Sequence, residues 1–152
     1  MKNKKGFLLG EEAVKIVIAL IALSLLVYLL YSLYSSNKNS KDLELAKESL
    51  NRTFEAFSNR EKEIQIYNPE SWYFISWPRE DKTPLSCSNL GWSSCICICK
   101  DRTFVKDEIK ECDSLGVCLE NKENYKIDEK IKIEDPPINL IINYEKKEIK
   151  KS

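Results

Sequence analysis

The apolar residues of this chain change their spacing as one moves from the N-terminus. From Ile16 to Tyr31 the run IVIALIALSLLVYLLY carries no charge, and its apolar character extends from Ala13 to Tyr34. From Lys41 to Ser58 the spacing becomes three and four, with Leu43, Ala46, Leu50, Phe54 and Phe57 on one helical stripe. Beyond Glu61 it shortens to two. Glu63–Tyr67 sets Ile64 and Ile66 on one face, and Trp72–Trp77 is aromatic and β-branched until Pro78 ends it. Cys95–Lys100 alternates strictly, and Lys126–Glu134 alternates through Ile127, Ile131 and Ile133 around a polar interruption. Asn139–Tyr144 follows Pro136-Pro137, and Asp113-Ser114-Leu115-Gly116 reads as a turn.

These patterns predict an α+β protein. A long N-terminal helix, transmembrane in its first part, precedes a small antiparallel, disulfide-bonded β-sheet domain. The expected segments are a basic leader over 1–6, a transmembrane helix over 7–36, a stalk helix over 37–60, a β-rich extracytoplasmic domain over 61–144 and a charged tail over 145–152 that frays. Ser35 to Ser40 is polar and helix-poor, so it is expected to mark the membrane exit or a soft kink, with Ser40 as N-cap of the stalk.

A helix from Ala13 to Tyr34 spans roughly 33 Å at about 1.5 Å per residue, against about 30 Å of bilayer hydrocarbon. A domain this small could not cover such a helix on all sides. A cleaved secretory signal fits poorly, because the apolar run exceeds the usual h-region and YSLYSSNKN offers no A-x-A site. Lys2, Lys4 and Lys5 precede the run with no acid among them, which keeps the N-terminus cytoplasmic and the C-terminal domain extracytoplasmic. Tyr28, Tyr31 and Tyr34 cluster at the far end, where amphipathic rings favour the interface.

The start of the chain reads KKG-FLLGEE. Two lysines, Gly6, Phe7, Glu11 at the fifth position after the glycine and a long apolar helix together resemble the class III signal sequence of type IV pilin-like proteins. The resemblance covers about residues 1–35. It is nearer to small archaeal pilin-like membrane proteins than to bacterial major pilins. It implies cleavage between Gly6 and Phe7 by a prepilin peptidase, and assembly with like subunits. It also implies a role for Glu11 in neutralising the N-terminal amine of a neighbour. Gly10 and Glu12 flank Glu11, and Lys15 lies inside the apolar run, where the family places apolar residues. A plainer alternative takes Glu11 and Lys15 as a helical ion pair four residues apart, with no cleavage.

Composition narrows the chemistry. Of 24 basic and 24 acidic residues, four and two fall in the first 36 positions, so 20 and 22 lie beyond, a net charge of −2. That balance gives no electrostatic case for nucleic acid. There is no histidine, the commonest general base and metal ligand. No GxSxG, HExxH, P-loop or dinucleotide fingerprint occurs. The expectation is therefore no catalytic residues, no cofactor and no metal. Glu80-Asp81 and Glu134-Asp135 are read as solvated turns, and the tryptophans as core or interface.

Six cysteines remain: Cys87, Cys95, Cys97, Cys99, Cys112 and Cys118. In a strand, Cys95, Cys97 and Cys99 share one face, and Ile96 and Ile98 take the other. Alternate side chains stand about 6.8 Å apart, which favours bonds to neighbouring segments over bonds to each other. An even count in a small exported domain reads as a disulfide framework, and six cysteines allow 15 connectivities. A thiolate metal site is the rival reading. Asn51-Arg52-Thr53 is a glycosylation sequon, with Asn51 as acceptor. Two function classes follow: a pilin-like or pseudopilin-like structural subunit, or an anchored binding module that never polymerises.

Overall fold

The computed structural model describes residues 4–152 except Asn68, Asp81 and 102–106, with side chains described from Glu12 onward. The chain divides into two compact units, Met1–Lys38 and Asn39–Ser152.

The first unit is formed by helix α1, which spans Lys4–Asn59 and continues into the second. This helix is long and apolar enough to cross a membrane. Val14, Leu20, Leu26 and Leu33 are all more than half exposed, as are Tyr28, Tyr31 and Tyr34. Each large aliphatic side chain left in water forgoes about 1.5–3 kcal/mol, so a surface made of them calls for an apolar surrounding. Ser24, within the run, donates its hydroxyl to the Leu20 carbonyl at 2.8 Å and so brings no unsatisfied donor into it.

Ser40 does not cap a separate stalk helix: α1 is helical throughout Ser35–Ser40. The segment holds no Gly or Pro, and its Ser and Asn residues each cost only about 0.5 kcal/mol in a helix. With helix on both sides, propagation through them is easier than a fresh nucleation. The end of α1 is well defined. Arg60 adopts φ 55°, Arg60 N–H donates to Phe57 O and Glu61 N–H donates to Ala56 O, the two bonds of a Schellman motif.

The second unit contains two antiparallel sheets. One has the order β4-β3-β2-β5, built from β2 (Trp72–Trp77), β3 (Cys95–Lys100), β4 (Gly116–Glu120) and β5 (Ile131–Ile133). The other has the order β1-β6-β7, built from β1 (Glu63–Ile66), β6 (Ile138–Asn143) and β7 (Glu148–Lys151). Among the described residues the unit also has two short helices, α2 (Leu85–Ser88) and α3 (Glu108–Ser114).

The stripe foreseen on the stalk is the stripe that packs. Ala46, Leu50 and Phe57 are buried, Leu43 and Phe54 partly so, in one core with Ile64, Ile66, Trp72, Phe74, Ile96, Ile98, Ile133 and Leu140. Tyr73, Ile75 and Trp77 point to the opposite face of the four-stranded sheet, into a second core with the cysteines. Every side chain of β2 is therefore buried.

The segment 145–152 is not a frayed tail. Glu148–Lys151 pairs with Leu140–Asn143, opposing Ile149 to Ile142, and Ile149 is 1% exposed. One isoleucine in the correct register outweighs the surrounding charge, because alternation sends Glu148 and Lys150 to the opposite face and Lys151 is exposed at the strand end. The domain therefore extends beyond Tyr144. The interrupted alternation over Lys126–Glu134 is realised as a bridge at Lys126 and the three-residue β5. The turn expected at Asp113–Gly116 is the end of α3 passing into β4.

Candidate functional site

Strand β3 organises the chemistry of the second unit. Its strict alternation puts Ile96 and Ile98 into the helix-facing core and Cys95, Cys97 and Cys99 into the other. Each of the three bonds a cysteine from a different segment: Cys87–Cys95 ties α2, Cys97–Cys118 ties β4 and Cys99–Cys112 ties α3. The Cα separations are 6.3, 4.1 and 4.8 Å. The shortest belongs to Cys97 and Cys118, which stand directly opposite each other in the β3–β4 register. No cysteine is free.

The sulfurs are also close across bonds. Cys97 Sγ lies 3.7 Å from Cys87 Sγ and 3.9 Å from Cys95 Sγ. Those of Cys87, Cys95, Cys97 and Cys118 all lie within 4.8 Å of one another, as do those of Cys97, Cys99 and Cys112. Bonded as disulfides, they offer no thiolate to a metal. Five of the six are fully buried, and Cys118 on the edge strand β4 is partly exposed, with Ser86 Oγ 3.4 Å from its sulfur.

Helix α3 brings a second polar element to the same face. Asp107 caps it, its carboxylate accepting from Lys110 N–H at 3.3 Å and held below its ordinary pKa by that bond. Glu111 is 2% exposed and accepts from the Tyr73 hydroxyl at 2.8 Å. Burial, reinforced by that bond and by the Glu111 charge, holds the Tyr73 phenol well above its usual range. Sequence reasoning missed this pair. The spacing of Trp72–Trp77 puts Tyr73 in a strand, but Glu111 sits in a helix with no apolar period to reveal it.

An open groove of about 1370 Å³ runs beside these residues, lined by Trp77, Arg79, Asp101, Glu108, Glu111 and Lys130 among others. Its charges answer one another. Glu108 is bridged by Arg79 at 3.3 Å and by Lys130 at 3.4 Å, and Asp101 by Lys132 at 3.5 Å. Lys130 Nζ also stands 4.7 Å from the centre of the Tyr73 ring, and Arg79 donates to the Asp128 carbonyl. Both oxygens of Glu108 are thus engaged by cations, which suits a brace between α3 and the sheet better than a general base.

The other foreseen residues fall as follows. Gly6, Phe7 and Glu11 lie in α1, and their side chains are outside the described residues; so therefore is the geometry of a Glu11–Lys15 pair. Lys15 meets Glu12 at 3.7 Å. Asn51 is exposed on α1, but Thr53 of its sequon is fully buried and donates to the Ser49 carbonyl at 2.9 Å. Glu80, Glu134 and Asp135 are exposed, and Asp81 is outside the described residues. Trp72 and Trp77 are core residues.

Compared with known proteins, the chain matches no family model, no curated protein and no solved structure.

Proposed function

We propose that this protein is a single-pass, membrane-anchored structural subunit of pilin-like or pseudopilin-like type. Its N-terminus is cytoplasmic and its disulfide-bonded domain lies outside the cytoplasm. The observation that carries this reading is the exposed apolar surface of α1 from Val14 to Tyr34, on a helix that goes on to supply a core stripe to the domain. Three disulfides agree with an oxidising compartment for that domain. The sequence around Gly6, Phe7 and Glu11 supplies the leader and the carboxylate such a subunit needs. A charge at the start of a membrane helix is costly until a positive partner approaches, and the α-amino group of a neighbouring subunit is that partner.

The deciding measurement is the N-terminal residue of the membrane-resident protein. A mature chain that begins at Phe7, and that retains its leader in Gly6→Val, supports the reading. A terminus at Met1 or Lys2 in the unaltered protein discards it. Glu11→Gln removes the charge at constant size. It is expected to leave cleavage and the outer domain intact while assembly into a filament or pseudopilus fails.

A second reading, an anchored binding module that never polymerises, is favoured by the Lys15–Glu12 pair. Charges neutralised within one chain have less need of a neighbour. Chemical cross-linking in the native membrane separates the two: ladders of like subunits for the first, none for the second.

A further inference from the structure

We propose that the outer domain contains an internal disulfide relay, with Cys118 as the entry point for an external thiol and Cys97 as the sulfur that passes the bond on. The relay is independent of whether the protein polymerises. It follows from two observations that a set of inert structural bridges would not need. Cys118 alone among the six is accessible, at the sheet edge formed by β4. Its bonded partner Cys97 is 3.7 Å from the sulfur of a different disulfide, Cys87–Cys95, which is van der Waals contact. A disulfide exchanges by attack of a thiolate on one of its sulfurs, and the limiting requirement inside a protein is access. Here the outer step has access through exposure and the inner step through contact, with Cys97 Sγ lying beside the Cys87–Cys95 bond at 3.7 and 3.9 Å and swinging into line with it once Cys118 releases it.

The sequence of bonds is as follows. The thiolate of a low-molecular-weight thiol such as glutathione attacks Cys118 Sγ. The Cys97–Cys118 bond breaks, the incoming sulfur remains on Cys118 as a mixed disulfide, and Cys97 leaves as a thiolate. Cys97 attacks Cys87 Sγ. A Cys87–Cys97 bond forms, the Cys87–Cys95 bond breaks, and Cys95 takes the electron pair and then a proton. At that point the total number of S–S bonds is unchanged, but one internal bridge has been replaced by the mixed disulfide on Cys118 and the thiol of Cys95. A second external thiol then attacks its counterpart on Cys118, releasing the oxidised external disulfide and a Cys118 thiolate, which Ser86 Oγ at 3.4 Å is placed to receive with a hydrogen bond. The sum is a two-electron reduction by two thiols. It leaves Cys87–Cys97 bonded and Cys95 and Cys118 as thiols.

Cys87, rather than Cys95, is the acceptor. A Cys95–Cys97 bond would join alternate positions of one extended strand, about 6.8 Å apart along it, at the outer limit of disulfide spacing. Cys87 sits on the separate helix α2 and is free of that restriction.

The test uses the full chain in detergent micelles. Limiting glutathione is added, the reaction is stopped with acid, free thiols are alkylated after denaturation, and the linked peptides are mapped without reduction. Glutathione is expected first on Cys118, followed by Cys87–Cys97-linked peptides with Cys95 alkylated. Glutathione appearing first on another cysteine overturns the entry point. Opening of Cys97–Cys118 with Cys87–Cys95 retained throughout, or transfer of Cys97 to Cys99 or Cys112, overturns the route. The variant Cys118→Ser frees Cys97 with no reductant present. Its map is expected to contain the Cys87–Cys97 link, whereas Cys97 as the sole alkylated residue overturns the inner step.

Discussion

The Tyr73 hydroxyl donates to Glu111 Oε2 at 2.8 Å, and both side chains are closed off from solvent on the disulfide-bonded face of the sheet. The bond is charge-assisted and desolvated, so it contributes more than a neutral surface hydrogen bond. Tyr73→Phe removes only the hydroxyl, and it is expected to cost about 1.5–3 kcal/mol, the range for hydrogen bonds to charged groups. Urea unfolding of the oxidised protein measures it. A loss below about 0.5 kcal/mol, the level of an ordinary surface change, would show the bond to be incidental.

Alkali should destabilise the sheet domain more than its surface charges suggest. Burial is the main cause that raises the phenols of Tyr73, Tyr125 and Tyr144 above their usual value near 10, and Tyr125 is pushed up to about 12. Nearby carboxylates add to the effect, Glu111 for Tyr73 and Glu123 for Tyr125. The folded state therefore keeps protons that the unfolded state releases. Stability is complete below pH about 10 and falls as pH rises above it. Ultraviolet titration of tyrosinate should show late-ionising groups that titrate together with loss of structure. A single transition near pH 10 before unfolding would contradict this.

Gly116 is held by space rather than by backbone angle. A Cβ there would stand 2.5 Å from the Cys112 carbonyl oxygen and 2.9 Å from its Cα. Cys112 cannot retreat freely, because its disulfide to Cys99 fixes α3 against β3. Gly116→Ala is expected to cost about 1–3 kcal/mol as an overpacking change. The check is thermal melting of the oxidised variant, where an unchanged midpoint would mean that the α3–β4 connection yields.

The bridges differ in the chain they enclose, with sequence separations of 8, 21 and 13 for Cys87–Cys95, Cys97–Cys118 and Cys99–Cys112. Loop entropy assigns about 3 kcal/mol to each, with Cys97–Cys118 the largest. Paired replacement of Cys97 and Cys118 by alanine should therefore lower stability at least as much as paired replacement of Cys99 and Cys112. The reverse order, by denaturant unfolding, would mean that native packing governs rather than the unfolded chain.

Orientation is open to a direct test. The proposed placement of the domain outside the cytoplasm rests on the lysines before the apolar run. A reporter active only outside the cytoplasm, fused after Lys151, should be active in cells, and activity of a cytoplasm-only reporter at the same position would invert the topology.

Much of the fold was legible because apolar spacing is imposed by geometry. The Trp72–Trp77 and Cys95–Lys100 strands and the Leu43–Phe57 stripe each lie where their spacing placed them. So does the division of Ile96 and Ile98 from the cysteines. Three cysteines on one face needing three partners from other segments was also foreseen, but the choice of partners was not, since it depends on how α2, β4 and α3 are brought to β3. Strand β4 was missed because Gly116–Glu120 is half-buried along its whole length and lacks a clean alternation. Strand β7 was missed because one isoleucine among charges gives no local signal, and only β6 supplies its register. The Tyr73–Glu111 bond is equally non-local.

The placement of β7 has a consequence for the order of events during synthesis. Strand β6 is flanked by β1, made early in the domain, and by β7, made late. Ile64 and Ile149 belong to the same core as Leu50 of α1. As the chain emerges, the stripe of α1 and the inner face of β1 are present long before the strand that completes their cover. Pairings so distant along the chain are slow to form, and their partners stay exposed meanwhile. The domain thus cannot close piecemeal behind its helix. It must wait, with its apolar stripe open, until Ile149 has been delivered.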